Sequence, residues 1–438
     1  MNITRRNFLK TTAAAAVLAP TINLSALGNV SANDRINVAL IGCKNMGWGD
    51  LSDMMLDKDV ECVALCDIDK SILDNRAAEL VKNGRKEPTL YGDYRKLLDR
   101  KDIDVVIVGT PDHWHCLHMV DACAAGKDVY VEKPIANSIA ECDAMVAAAK
   151  RYSRVVQVGQ QQRSSGHWKE MVEYLRSGKL GTIGRVHIWA NFTYAVVASR
   201  PDSEVPAGVD FETWLGPAPS RTFNPQRFHG LWRMFWNYGG GLMTDWGVHL
   251  LDMGLWGLNI TGMPNKIVAT GGKFYSPQGM HETYDSQTVS YLFDNCIMNW
   301  EHNAGLQKGP YGRGYGVSFL GTNGTLVADR DNWMVYPERE NTSSELKVKA
   351  DGQDHKLHVR NFLECVRTRN FQTACTIENG SLCAKYAHLG NIAARLNTAL
   401  VYDDAAKKFI NAPKQFKNAP EANAFIKPAY RAPWKFPS

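Results

Sequence analysis

The sequence predicts an α/β protein in two parts. A doubly wound parallel sheet comes first, and an α+β half with a large, open, mainly antiparallel sheet follows. Three observations predict this. Uninterrupted apolar runs alternate with helix-length stretches from residue 36 to about 160, as expected of strands buried on both faces. From about Gln161 the runs alternate apolar and polar residues, as half-exposed strands do. The 438 residues are 45% apolar and 22% charged, an ordinary globular composition and enough chain for more than one domain.

The chain starts with an address. Residues 4–10 read Thr-Arg-Arg-Asn-Phe-Leu-Lys, an Ala-rich run follows to Leu27, and Val30-Ser31-Ala32 offers a cleavage site. A positive start, an apolar stretch and a small-x-small site make a signal peptide, and the paired arginines mark the twin-arginine route. Residues 1–32 are therefore set apart from the fold, and the mature protein is expected in the periplasm, exported already folded. Three of the cations behind the net charge of +5 fall in that segment, leaving +2 on the rest. A near-neutral body gives no sign of nucleic-acid binding. No later stretch of about 18 apolar residues predicts a membrane span.

In the first half, apolar runs at 36–41, 60–67, 105–110, 129–132 and 155–159 read as strands. Stretches 71–82 and 138–150 read as helices. The ten cysteines form no tight CxxC pair. They read as small buried apolar side chains, with no disulfide framework and no zinc site.

Three strand ends carry chemistry. Gly42-Cys43-Lys44-Asn45-Met46-Gly47 has the spacing of GxGxxG, with Lys44 in place of the central glycine. It follows a strand and precedes a helix, and Asp67 lies 20 residues after Gly47 at the end of strand two. An acid there accepts hydrogen bonds from an adenosine ribose diol and repels a 2′-phosphate, so NAD is expected rather than NADP. Thr110-Pro111-Asp112-His113-Trp114-His115 follows the third run. His113 and His115 are two apart, on different faces of a helix, which argues against a metal site. His115 reads equally as a helix-start residue packed on the sheet or as a cofactor contact. Glu132-Lys133-Pro134 follows the fourth run. A lysine there points into the ligand crevice, where its charge would lower the pKa of a substrate hydroxyl.

Together these features resemble the Gfo/Idh/MocA oxidoreductases, across essentially the whole mature chain. Glu-Lys-Pro is the specific part; the glycine turn is not. The resemblance implies an NAD-binding Rossmann domain over 33–160, with Gly42, Lys44, Asn45, Met46, Gly47, Asp67, Thr110, Pro111, His113, His115, Glu132 and Lys133 on the cofactor. It also implies a substrate and oligomerisation domain over 161–411, whose large open sheet makes a homo-oligomer through its outer face.

The second half reads as strands at 183–194, 266–274, 286–293, 296–302, 316–320, 325–329 and 333–336, and as helices at 355–369 and 378–397 that pack beside the first domain. The tail, 412–438, is rich in Pro, Lys and aromatics. It is expected to wrap the surface or to cross to a neighbouring subunit.

Gly239–Asp252 (GGGLMTDWGVHLLD) is the catalytic segment. A helix starting near Leu242 would place Asp245 and His249, four apart, on one face, to hydrogen-bond each other or one substrate. Asp252, three beyond, would support His249. The segment resembles the family's Asp-x-Gly-x-His element, in which the histidine is the general base. His249 suits removal of a hydroxyl proton, Asp245 would orient it or bind the sugar, and Lys133 would stabilise the alkoxide.

The substrate side is expected at Gln162 and Arg163, Tyr194, His229 and Trp236. The aromatic stretch 224–238 reads equally as a sugar platform or as an aromatic core corner. Outside the cytoplasm there is no NAD pool, so the cofactor must be held tightly. The expected activity is hydride transfer between a sugar or glycoside hydroxyl, at C3, and that cofactor. One alternative is an NAD-dependent glycoside hydrolase using transient C3 oxidation and elimination, which needs a further base for C2, with Tyr194 or His229 the available groups. The other is a sugar-binding protein without catalysis.

Overall fold

The computed structural model describes residues 35–338, 347–411 and 418–437. The twin-arginine segment lies outside the described residues. The first sheet holds β1 (Ile36–Ile41), β2 (Val60–Cys66), β3 (Thr89–Tyr91), β4 (Val105–Val108), β5 (Asp128–Val131) and β6 (Val156–Val158). Their order is β3-β2-β1-β4-β5-β6, all parallel. Chain order reverses between β1 and β4, so a crevice opens at their C-terminal ends. The helices that matter here are α1 (Asn45–Met54), α2 (Lys70–Lys82), α3 (Asp112–Ala124), α4 (Ile139–Arg151), α5 (Gly166–Arg176), α6 (Leu242–Asp245), α7 (Gly247–Gly257), α8 (Asp354–Thr368) and α9 (Ile377–Arg395). Local chemistry starts several of them. The Asp69 carboxylate accepts the Ser71 N–H of α2 at 3.0 Å. Ser138 and Glu141 form a capping box at α4, with Ser138 Oγ accepting the Glu141 N–H and donating to Glu141 Oε2.

The second sheet holds β7 (Ile183–Ala190), β8 (Lys266–Gly272), β9 (Ser286–Leu292), β10 (Ile297–Asn303), β11 (Tyr315–Gly321), β12 (Gly324–Ala328), β13 (Asn332–Pro337), β14 (Lys347–Lys349), β15 (Ala399–Asp403) and β16 (Lys408–Ile410). Its order is β14-β13-β12-β11-β7-β10-β9-β8-β15-β16. Among the pairs given a register only β7–β10 is parallel. One face is buried residue by residue: Met298 and Trp300 of β10 lie with Val289 and Tyr291 of β9 in a core that also takes Leu251 of α7 and Tyr386 of α9. Burying each such side chain contributes about 1.5–3 kcal/mol.

The strands not expected from the sequence are short. β3 and β14 are three residues each and mostly exposed, so they lack an apolar run. β15 and β16 extend the edge of the second sheet beyond β8. Helix α8 lies on α1, where His355 Nε2 and Nδ1 stand 2.8 Å from Asp50 Oδ1 and 2.6 Å from Asp53 Oδ2. Helix α9 meets α4 through Lys385 Nζ, 2.6 Å from Asp143 Oδ1. In the described part of the tail, Trp434 packs edge-on against Trp114, Tyr430 donates to Glu141, and Arg431 pairs with Glu212. All ten cysteines are buried and free.

Candidate active site

A groove runs along the crevice between β1 and β4. Gly42, Lys44, Asn45, Met46, Asp67, Thr110, Pro111, Asp112, Glu132, Lys133, His229 and Arg233 are among its walls. Its floor requires glycine twice. Gly42 has φ +88°, and a Cβ there would come within 2.8 Å of the Gly109 backbone. A Cβ on Gly47 would come within 2.4 Å of Gly42 O. Lys44 is tolerated where a glycine is usual because its backbone is ordinary extended chain, φ −107° and ψ 161°. The start of α1 has no side-chain cap, so its free N–H groups, beside the exposed Lys44, form an anion site.

At one end of the groove, Asp67 Oδ2 accepts the Cys43 N–H at 2.8 Å and Oδ1 accepts the Asp69 N–H at 3.1 Å. Burial raises its carboxyl. His229 Nε2 lies 2.8 Å from Asp69 Oδ2, which corrects its expected role. It belongs to this acidic end of the groove, not to the substrate end. The glycine floor, the uncapped helix and the carboxylate at the β2 end together fit a nicotinamide dinucleotide. Its pyrophosphate would be held over Gly42 and α1, and its adenosine ribose at Asp67.

At the other end, Lys133 Nζ donates to Asp245 Oδ1 at 2.9 Å and to Asp245 O at 3.1 Å. The Tyr194 hydroxyl donates to Asp245 Oδ2 at 2.5 Å, and Arg233 Nε lies 3.3 Å from Oδ1. Burial opposes the charge on Asp245, but Lys133 and Arg233 outweigh it and hold the carboxyl far below the usual range. Glu132 is buried against Gly159, where a Cβ would come within 2.0 Å of Oε1. Desolvation, helped by Asp50, pushes Glu132 up to about 8.

The segment 239–252 is not one helix. Gly241 has φ +68°, and the chain forms α6 and then α7 with Trp246 between them. Asp245 and His249 therefore do not share an unbroken face. No hydrogen bond joins them, and Asp245 serves Lys133, Tyr194 and Arg233 instead. His249 is buried, and its Nδ1 has no partner among the described residues. Burial, then Lys133 and Arg330, hold it well below its ordinary value, so it is neutral near pH 7.

Four other expectations are corrected. His113 Nε2 meets Trp214 O at 2.9 Å, and His115 meets Pro134 O and Thr110 O at 2.7 and 2.6 Å. Both rings are buried braces; neither lines the groove. Arg163 makes a fork to Asp252, with contacts of 2.7–3.0 Å, and Asp252 is thereby committed to Arg163. Trp236 lies under Arg395 in a separate hollow with Asn137 and His388. Most of 224–238 is an aromatic core corner, with Trp232, Phe235 and Tyr238 packed on Trp214 and Phe211. Gln162 does sit at the site: its Nε2 reaches His249 O at 3.4 Å and its Oε1 accepts from Arg330 Nε at 3.1 Å.

Sequence reasoning passed over Asp112, Arg233 and Arg330. Asp112 stood inside the quoted Thr-Pro motif, and Arg233 inside the aromatic stretch. Arg330 lies between strands and gave no signal.

Two family models match the chain. The NAD-binding Rossmann fold of the Gfo/Idh/MocA oxidoreductase family covers residues 36–160. The C-terminal alpha/beta domain of the same family covers 182–265 and 328–436. A glycosyl hydrolase family 109 protein of Shewanella putrefaciens is 34% identical over 174 residues, 34% of this chain and 38% of that protein. The match thus spans well under half the length of that relative. Among solved structures, aldose-aldose oxidoreductase from Caulobacter crescentus, complexed with glycerol, is similar at TM-score 0.64 and 19% identity, over 84% of this chain and 99% of that one. Levoglucosan dehydrogenase in complex with NADH is similar at TM-score 0.61 and 18% identity, over 83% and 98%. At these identities the likeness is one of fold.

Proposed function

The chain belongs to the Gfo/Idh/MocA oxidoreductases, and from that premise we propose that it moves a hydride between C3 of a sugar or glycoside and a tightly held nicotinamide, NAD rather than NADP. The observation that carries the reading is the Lys133–Asp245 pair at the end of the groove, with the neutral His249 nearby. When bound, the dinucleotide supplies the hydride acceptor. Lys133 stabilises negative charge developing on the substrate oxygen. Asp245 fixes the ammonium in place, and Tyr194 and Arg233 fix Asp245. His249 is unprotonated at neutral pH and takes the hydroxyl proton. Two acidic residues at the ribose end, Asp67 and Asp69, disfavour a 2′-phosphate.

The name of the Shewanella relative favours the second reading, glycoside cleavage. That chemistry needs a base at C2. The Tyr194 hydroxyl already donates to Asp245, and partial desolvation beside that carboxylate suppresses its ionisation. His229 stands at the ribose end. Dehydrogenation asks only for groups that are placed to act. The Lys133–Asp245 pair is also more than a silent sugar-binding site requires. Export in the folded state through the twin-arginine segment, periplasmic residence, tight cofactor retention and a homo-oligomer through the outer face of the second sheet complete the proposal.

The test is spectroscopic. Protein purified without added cofactor is denatured to release nucleotide. Native protein is given glucosides, galactosides and N-acetylated glycosides, while reduced-nicotinamide absorbance and free aglycone are followed. Lasting absorbance with a keto-sugar product is the expected result. Aglycone release without net absorbance establishes the cleavage reading. Absence of any nucleotide overturns the tightly held cofactor.

A further inference from the structure

Next to His249 stands a guanidinium that the proposed chemistry does not use. Arg330 lies just beyond β12, stacked 4.6 Å over the Trp246 ring. Trp246 is itself stacked on Phe192, 4.3 Å away, and tilted against Tyr315 at 4.7 Å, so Arg330 is set on an aromatic wall. Its Nε is fixed by Gln162 Oε1, and the same Gln162 side chain reaches the His249 carbonyl. The other arginines of this region are neutralised: Arg163 by Asp252, Arg233 by Asp245, Arg313 by Asp329. Arg330 has no carboxylate within ion-pair distance among the described residues. Its two terminal nitrogens have no hydrogen-bond partner there. Tyr315, Asp354, Asp245 and Glu132 act on it only from a distance, and burial pulls its affinity for the proton down. Arg330 is half-buried, with no counter-ion beside it, and a fixed fork of N–H groups left open to solvent matches an oxyanion.

We propose that Arg330 is an anion subsite of the sugar site, so that the preferred substrates are glycosides carrying a negatively charged substituent, a carboxylate or a sulfate ester. This rests on the reading of the site as a sugar site. The anionic group lies against the Trp246 wall with the free guanidinium edge as its donor, while the reacting hydroxyl faces His249 and Lys133. Gln162 is the positioning residue, because it ties the guanidinium to α7.

The experiment is calorimetric titration of the full-length purified protein with three probes: methyl β-glucoside, methyl β-glucuronide and methyl β-glucoside 6-sulfate. The expected result is at least about tenfold tighter binding of one charged probe than of the neutral one. R330Q brings the affinities together, and R330K retains part of the preference. Preference for the glucuronide assigns a carboxylate ligand, and preference for the 6-sulfate assigns a sulfate ester. Equal affinities in the unmodified protein overturn the anion subsite and leave the sugar site standing. So does a preference that survives in R330Q. Failure of all three probes to bind a protein that still releases nucleotide on denaturation overturns the sugar site itself, and the subsite with it.

Discussion

Lys133 and His249 divide the labour at the proposed centre, and each leaves a distinct trace. Replacing Lys133 by Met removes the charge that Asp245 holds in position. We expect kcat to fall by about 10²–10³ with the same nucleotide recovered on denaturation. His249 is read through pH. Its proton affinity is lowered, so the proton-accepting form persists below the ordinary histidine value of about 6.5. The acidic limb of the rate of sugar oxidation should therefore fall below pH 6.5 and disappear in H249N. A limb at or above 6.5 in the unmodified protein would sink the assignment. That Lys133, Asp245 and His249 would lie near one another was legible, because each belongs to a motif with fixed spacing. The partnership of Asp245 was not legible. Spacing of four allowed contact with His249 or with one shared substrate, and the break at Trp246 and the donors Lys133, Tyr194 and Arg233 give Asp245 other partners. His113 and Arg163 misled for a related reason, and for His115 the packed alternative is the one the contacts match. A polar side chain at a strand end can serve a ligand or serve the backbone, and only the partner in space tells which.

The junction between helices α1 and α8 carries its own pH dependence. His355 is held between Asp50 and Asp53, and the two carboxylates outweigh desolvation and raise it to about 9. Its folded pKa is above its unfolded value. The stability it adds is thus complete below about pH 6.5 and is lost as pH rises through 9. The loss is on the order of 1–3 kcal/mol, tempered by the cost of the buried Asp50. Tm measured across pH 6.5–9.5 should fall in that window and be flatter in H355Q. The glycine turn gives a second test. Gly42→Ala meets both a left-handed φ and the Gly109 backbone, so it should release the nucleotide and lower Tm. An unchanged nucleotide content would show that the turn does not hold the pyrophosphate. The strands β1, β2, β4 and β5 were legible within two residues at each end because burial on both faces leaves an unbroken apolar run. β3 and β14 were hidden by exposure. β15 and β16 follow a helix whose end gave no strand signal.

Closure of the molecule depends on a segment with no periodicity at all. Of the last described residues, 418–437, Ala419, Ala422, Phe425 and Ile426 join the core of the second sheet, and three contacts help to hold the part beyond 427. Trp434 meets Trp114 edge-on at 4.7 Å and 81°. Tyr430 donates to the buried Glu141 of the α4 capping box. Arg431 binds Glu212 and the Gly216 and Pro217 carbonyls. Composition alone left the tail free to wrap its own surface or a neighbour's, since aromatics and prolines without a pattern name no partner. Within the chain, these contacts are made to its own surface. They also reach the site: Trp114 lines the cofactor groove and donates to Trp214 O at 3.0 Å. Removing 428–438 therefore exposes one face of Trp114 and leaves Glu141 without its tyrosine. A chain of this size loses about 1–2 °C of Tm per kcal/mol, and losing one half-buried aromatic pair and one charge-assisted hydrogen bond costs about 2–4 kcal/mol. The truncated protein should melt several degrees lower and retain less nucleotide through gel filtration, whereas W434F keeps both near the full-length values. A lower Tm with full nucleotide content would confine the tail to a structural clamp. An unchanged Tm would mean that these contacts contribute nothing measurable in solution.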